Sequence, residues 1–140
     1  RENHLDPLLS KTEILIKENI HIIQTGVQRD IRPYVSISDV LTFPSYREGF
    51  PNVVLQASCM CLPCIVSDIN GCNEIIEDQV NGLIIPVKNH EALESAMIYM
   101  IENPDKRLKM IKHSRTRILE RYRQEFIWNE SLKLYKNLEL

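Results

Sequence analysis

Two polar loops of the sequence carry the residue types that could do chemistry. The first spans residues 45–52, where Arg47 and Glu48 stand next to Gly49 just ahead of a predicted helix. Glycine lets the backbone approach a ligand closely, and the unpaired N–H groups at a helix start favour an anion. A carboxylate at this point suits the hydroxyl groups of a sugar rather than a phosphate.

The second polar loop spans residues 67–74 and contains two more carboxylates. Both loops follow predicted strands, and open α/β sheets bind their ligands outside the carboxyl ends of the strands. A solvated loop that caps a helix explains the same residues. Spacing alone does not separate this plain interpretation from a ligand site.

The four cysteines match a zinc site only in part. Cysteine zinc sites commonly contain two Cys-x2-Cys pairs, and this chain lacks the second pair. Three of the cysteines lie in an apolar run, where a thiol behaves as a small buried hydrophobe. We therefore predict buried free thiols in a reducing compartment, no metal site, and no catalytic role for the scattered histidines; the residues concerned are Cys59, Cys61, Cys64, Cys72, His4, His21, His90 and His113.

The composition is that of an ordinary soluble domain. Of 140 residues, 44% are hydrophobic and 26% are charged, and 17 Lys+Arg against 19 Asp+Glu leave a net charge of −2. A nucleic-acid-binding protein would show a clear basic excess, so we exclude that class. No apolar run approaches the roughly 18 residues of a membrane span, and the first residues are too polar for a signal peptide. We therefore expect a cytoplasmic location.

Short apolar runs alternate with helical patterns along the chain. Strands that are apolar throughout and alternate with helices form a parallel sheet covered on both faces. We therefore predict an α/β fold. The predicted strands cover residues 21–26, 40–44, 63–67 and 83–87, and the predicted helical segments cover residues 6–19, 31–38, 51–60, 71–76, 90–102, 105–122 and 124–140.

Residues 38–57, with Glu-Gly-Phe-Pro-Asn among them, resemble the retaining glycosyltransferases of family 4. The resemblance continues through Leu-Pro at 62–63, Ser-Asp at 67–68, Gly-Cys-Asn-Glu-Ile-Ile at 71–76 and Asn-Gly-Leu at 81–83. Within that family the chain is most similar to bacterial transferases that build capsule, O-antigen or related surface glycans on a lipid carrier. Such enzymes have two Rossmann-like domains, an architecture named GT-B.

The resemblance implies that the chain is the C-terminal, nucleotide-sugar-binding part of such an enzyme. We expect residues 1–140 to form one partial Rossmann-like domain, with helices on both faces of a parallel sheet that is truncated on its N-terminal side. The family's two earlier strands, the basic residues that grip the diphosphate and the acceptor domain would precede Arg1. On this basis we expect the isolated chain to be inactive.

The resemblance also implies roles for particular residues. Glu48 would contact hydroxyl groups of the donor sugar and is the predicted catalytic residue. Gln56 stands where the family has a second glutamate that holds the ribose, and an amide can accept one hydrogen bond and donate another. The base would lie near Gly26 and Val27. The remaining predicted donor-binding residues are Ser45, Arg47, Gly49, Phe50, Pro51 and Asn52.

Cys61 is another departure from the family, which usually has glycine at this position. Glycine is the natural left-handed residue at the C-terminus of a helix. We therefore expect either modest backbone strain at Cys61 or a different turn.

The implied reaction is transfer of a hexose, with retention, from a nucleotide-diphosphate sugar to a glycan or lipid-linked acceptor. UDP-sugars are the family's commonest donors, and the resemblance implies neither a metal ion nor another cofactor. Two alternatives stay open: a nucleotide-sugar epimerase of the same architecture, and a non-catalytic binding or interaction module, which Gln56 favours. The basic face of the helix at 105–122 suits either contact with the inner face of the cell membrane or plain solvation.

Overall fold

The computed structural model describes residues 9–138, and the chain divides into two compact units at residues 31 and 32. In the first unit, α1 (Ser10–Glu18) has no buried residue and ends at Asn19, whose N–H donates to the Leu15 carbonyl. The predicted helix is thus confirmed from Ser10 onward. Residues 6–8 of that prediction lie outside the described residues.

The predicted strand at residues 21–26 is wrong. No strand forms among the described residues of the first unit, and the side chains of Ile22 and Ile23 are 45% and 84% exposed. Apolar character does not make a strand by itself, because a strand needs a neighbour to satisfy its backbone N–H and C=O groups. The segment has no such neighbour among the described residues.

The second unit contains a parallel sheet of three strands in the order β1 (Leu41–Phe43), β2 (Cys64–Ser67) and β3 (Gly82–Ile85). The ladder places Ile65 between Thr42 and Leu83. Helices in the two crossovers allow neighbouring strands to run in the same direction. The three later predicted strands and the α/β class are confirmed.

Six helices complete the described part of the second unit. Asn89 caps the helix that begins at His90, because its Oδ1 accepts the N–H of Ala92 at 2.9 Å. Pro104 opens the following helix. Its missing N–H costs nothing there, because the first N–H groups of a helix have no partner within the helix. The helices are α2 (Arg32–Ser36), α3 (Asn52–Cys59), α4 (Cys72–Ile75), α5 (His90–Glu102), α6 (Pro104–Tyr122) and α7 (Gln124–Leu138).

The core is centred on β2, whose four residues are all buried. Because successive side chains point to opposite faces, burial of both Ile65 and Val66 requires cover on both faces of the sheet. On one face Ile65 clusters with Ala96 and Met100 of α5. Met97 is 42% exposed, because its position one residue after Ala96 turns it away from this face.

None of the helices in the described part of the chain is both long enough and apolar enough to cross a membrane.

Cys61 adopts the left-handed conformation, with φ of 61°, directly after the end of α3. Of the two sequence-based expectations, backbone strain is therefore the correct one. The turn keeps the geometry that glycine would favour, and the Leu62 N–H donates to the Ala57 carbonyl at 2.9 Å. Such a closing bond satisfies a carbonyl that the helix end leaves free.

Cys61→Gly should raise the free energy of unfolding by about 0.5–1 kcal/mol. The substitution removes about 1–2 kcal/mol of left-handed strain from the folded chain. Glycine also raises the entropy of the unfolded chain, which offsets about 0.5–1 kcal/mol of that gain. Cys59→Gly is the matched control, since Cys59 is the last helical residue of α3 and glycine there should destabilise the chain by about 1 kcal/mol. Urea unfolding measures both variants, and effects of the same sign would contradict the strain at Cys61.

Candidate functional site

The first polar loop follows β1 and leads into α3. Within it, the Ser45 hydroxyl donates to Glu48 Oε1 at 2.8 Å, and both residues are half-buried. A carboxylate held by a neighbouring hydroxyl has a fixed direction and keeps acceptor capacity on its other oxygen. The structure therefore holds a directed carboxylate at the carboxyl end of a parallel strand.

The second polar loop lies directly against the first. Gly71 has φ of 79°, and a Cβ atom at this residue would lie 2.4 Å from the Gly49 carbonyl oxygen and 2.9 Å from Pro51 Cδ. Only glycine fits such an approach, because real Cβ atoms do not come so close to backbone atoms. The two loops singled out in the sequence thus form one continuous surface.

Two carboxylates of the second loop are engaged in shaping it. Glu74 Oε1 accepts the Gly71 N–H at 3.2 Å, and Asp68 Oδ1 accepts the side-chain amide of Asn73 at 3.0 Å. These bonds hold the turn that presents Gly71 to the first loop. Asp68 and Glu74 therefore act here as structural groups.

The C-terminal end of α6 fastens both loops. The Tyr122 hydroxyl donates to the Glu74 carbonyl at 2.8 Å, and Arg121 donates to the same oxygen at 3.1 Å. The Tyr122 ring also packs against the Phe50 ring, with centroids 5.2 Å apart and planes inclined by 58°. Sequence reasoning missed Tyr122, because it stands far along the chain and its only signal is an aromatic residue in the last turn of a helix.

The cysteines behave largely as predicted. Cys64 and Cys72 are fully buried free thiols, whereas Cys59 and Cys61 are half-buried. Burial raises the pKa of the Cys64 thiol to about 12 and, together with the negative charge of Glu48, raises the pKa of Cys72 to about 11. Cys72 is therefore a neutral group beside the carboxylate. No cluster of His, Cys, Asp or Glu able to hold a metal ion occurs among residues 9–138.

The remaining predicted residues of the loop line the start of α3. Pro51 is buried at the cap position, whereas Arg47 and Asn52 are exposed and Phe50 is 39% exposed. Gln56 is exposed as well, and it lies one helical turn after Asn52. Polar side chains are thus spaced along one side of the first turn.

Gly26 and Val27 belong to the first unit. Gly26 has φ of 63°, a conformation that favours glycine, and Val27 is fully exposed. These features fit a tight exposed turn. The contact of Gly26 and Val27 with a nucleotide base stays a prediction.

The sequence pattern of the family described as "Glycosyl transferases group 1" matches residues 6–117. The chain belongs to this family. Its polar loops and its three strands all lie within the matched region. The resemblance inferred from the two loops is confirmed at the level of the family.

Two curated bacterial relatives of this glycosyl transferase chain are each 32% identical to it. One is N,N'-diacetylbacillosaminyl-diphospho-undecaprenol alpha-1,3-N-acetylgalactosaminyltransferase of Campylobacter jejuni, matched over 93% of the chain and 34% of the relative. The other is UDP-Gal:alpha-D-GlcNAc-diphosphoundecaprenol alpha-1,3-galactosyltransferase of Escherichia coli, matched over 78% of the chain and 27% of the relative. The chain spans about a third of the length of such relatives.

Two solved structures share the fold of this chain. Sucrose-phosphate synthase from Thermosynechococcus elongatus superposes with a TM-score of 0.81 at 26% identity, covering 91% of this chain and 33% of the synthase. The C-terminal domain of a glycosyl transferase group 1 protein from Francisella tularensis superposes with a TM-score of 0.64 at 22% identity, covering 71% of this chain and 52% of that domain. The predicted Rossmann-like α/β class is confirmed.

Gly71→Ala should destabilise the chain by about 1–3 kcal/mol, because the new methyl group meets the Gly49 carbonyl and the residue must hold a left-handed φ. Gly49→Ala is the control, because Gly49 is the other residue of the same backbone contact. Its added Cβ meets nothing within 4 Å, so its effect should stay near 0.5 kcal/mol. Thermal unfolding compares the two, and equal melting temperatures would contradict the close approach of the loops.

Proposed function

We propose that this chain is the donor-binding domain of a glycosyltransferase that moves a hexose, with retention, from a nucleotide-diphosphate sugar to a glycan or lipid-linked acceptor in bacterial surface polysaccharide synthesis. The observation that carries the proposal is the Ser45–Glu48 hydrogen bond at the carboxyl end of β1. The names of the two curated relatives support it, since both are sugar transferases that act on a diphospho-undecaprenol acceptor. A UDP-sugar is the proposed donor, and the name of the Escherichia coli relative includes UDP-Gal.

Glu48 is proposed to recognise the donor sugar. Its carboxylate can accept hydrogen bonds from two sugar hydroxyls while Ser45 holds its direction. The N–H groups of Gly49, Phe50 and Asn52 lie at or just before the start of α3, where they can face the sugar and the diphosphate. Exposed Gln56 can hold the ribose.

Catalysis then depends on positioning and on stabilising the leaving phosphate. Retaining transfer passes through an oxocarbenium-like state while negative charge builds on the diphosphate, and helix N–H groups can oppose that charge. A glycosidase-type nucleophile would need a second carboxylate close to Glu48. Asp68 and Glu74 are each engaged in their own loop, so Glu48 acts as a sugar-positioning group. We propose that no metal ion or other cofactor takes part.

The proposed place of action is the inner face of the cell membrane, where a lipid-linked acceptor would be reached. Three arginines of α6 are tied to the domain itself: Arg107 to Asp39, Arg117 to Glu77, and Arg121 to the Glu74 carbonyl. The exposed cations of that helix are Lys106, Lys109, Lys112 and Arg115, and these could contact anionic lipid.

A non-catalytic binding module is the second candidate, because Gln56 replaces a carboxylate at the proposed ribose position. Release of UDP from a UDP-sugar, measured on the intact transferase with and without a lipid-linked acceptor, separates the candidates. Release that depends on acceptor supports transfer. No release of UDP under either condition supports the binding module. Conversion of the sugar without an acceptor would indicate an epimerase.

Glu48→Gln should lower turnover by about 100-fold or more, because the lost contact acts on the position of the sugar in the transition state. Affinity for free nucleotide and the melting temperature should barely change, since the amide keeps the size of the side chain and an acceptor for Ser45. Steady-state transfer and nucleotide calorimetry measure the two effects.

Glu120→Gln is the matched control, because Glu120 is an exposed carboxylate of α6. It should leave turnover unchanged. A carboxylate near a helix start also stabilises that helix by about 0.3–1 kcal/mol. A small drop in melting temperature with wild-type turnover in Glu48→Gln would therefore assign Glu48 to the fold and end the proposal.

Gln56→Glu should tighten nucleotide binding by up to about tenfold, because a carboxylate can accept hydrogen bonds from both ribose hydroxyls. Gln124→Glu, at the exposed first position of α7, is the control for the added charge. Calorimetry with UDP measures both. Unchanged or weaker binding in Gln56→Glu would place the ribose elsewhere.

A further inference from the structure

A cavity with a volume of about 260 Å³ opens at the carboxyl edge of the sheet. Its wall takes one residue from the end of each strand region: Pro44 after β1, Ser67 of β2 and Ile85 of β3. Tyr46 from the first polar loop forms another part of the wall. Because Tyr46 is two residues before Glu48, the cavity and the proposed sugar site share one loop.

The cavity contains a cation and no carboxylate among its described lining residues. Lys88 and His90 line it. The Lys88 ammonium lies 5.1 Å from the centroid of the Tyr46 ring, an attraction that holds the cation at the wall. The cavity therefore offers a ligand one fixed ammonium group and a few neutral polar groups, Ser67, Asn89 and His90, within a partly apolar wall.

We propose that this cavity binds a phosphate or diphosphate group of the lipid-linked acceptor of the proposed transferase. Ligand pockets for drug-sized molecules are about 300–1,000 Å³, so a space of about 260 Å³ suits one polar group rather than a whole nucleotide sugar. A lysine ammonium is a common partner of phosphate. The inference rests on the proposed function, under which the donor diphosphate lies at the start of α3 and the acceptor carries a diphosphate of its own.

Inorganic pyrophosphate titrated into the chain tests the cavity without any need for activity. Lys88→Met keeps the aliphatic stem and removes the charge, so it should weaken pyrophosphate binding by about tenfold. Lys88→Arg should retain most of the affinity. Lys112→Met, which removes an exposed cation of α6, should change little.

Equal loss of affinity in Lys88→Met and Lys112→Met would overturn the proposal, because it would show general attraction to positive charge. Binding that is insensitive to Lys88→Met would also overturn it. Both results are independent of transfer, so they differ from failure of the proposed function, which is a lack of turnover in the wild type.

Kinetics of the intact transferase identify the source of the phosphate. With a diphosphate-linked lipid acceptor and a neutral alkyl glycoside of the same sugar, Lys88→Met should raise KM for the diphosphate acceptor alone if the acceptor supplies the group. A rise in KM for the nucleotide sugar with both acceptors would instead place the donor diphosphate in the cavity, and this result would overturn the proposal. Unchanged KM values for donor and acceptor would overturn it as well.

Discussion

The arrangement of the site depends on one contact between two stretches of backbone. A Cβ at Gly71 would lie 2.4 Å from the Gly49 carbonyl oxygen, so the loops after β1 and β2 meet without side chains between them. The parallel sheet sets the distance between the two strand ends, and the loops can close it only where one residue lacks a Cβ. The hydrogen bond from the Gly71 N–H to Glu74 then fixes that residue from its other side. The direction of Glu48, one residue before Gly49, follows from this backbone contact as well as from Ser45.

Burial around the contact sets the charge state of the groups beside it. Cys72 follows Gly71 directly and is fully buried, and desolvation with the charge of Glu48 raises its pKa to about 11. A neutral thiol is what this position can tolerate, since a second anion there would oppose the carboxylate. Glu48 thus keeps a neutral neighbour on its buried side and is only half-buried itself.

Elements whose cause is local could be predicted from the sequence. The cap at Asn89 and the left-handed residue at Cys61 follow from short patterns, and three of the four predicted strands form where a neighbouring strand completes the hydrogen-bond ladder. The prediction at residues 21–26 failed because no such neighbour pairs with this run among the described residues, and an apolar run alone does not show whether one is present. Tyr122 was missed for the same reason: its hydroxyl meets a carbonyl 48 residues away, and no spacing rule reaches so far.

Loop 45–52 borders two proposed sites of different chemistry. At Glu48 it offers a directed carboxylate, which suits the hydroxyl groups of a sugar. At Tyr46 it borders the cavity that holds Lys88, whose ammonium suits a phosphate group. Because the groups alternate along one short loop that is fastened through Gly71 and through the Phe50–Tyr122 contact, a shift of the loop would move both sites together. The same fastening that orients Glu48 therefore also sets the distance between the proposed sugar and phosphate positions.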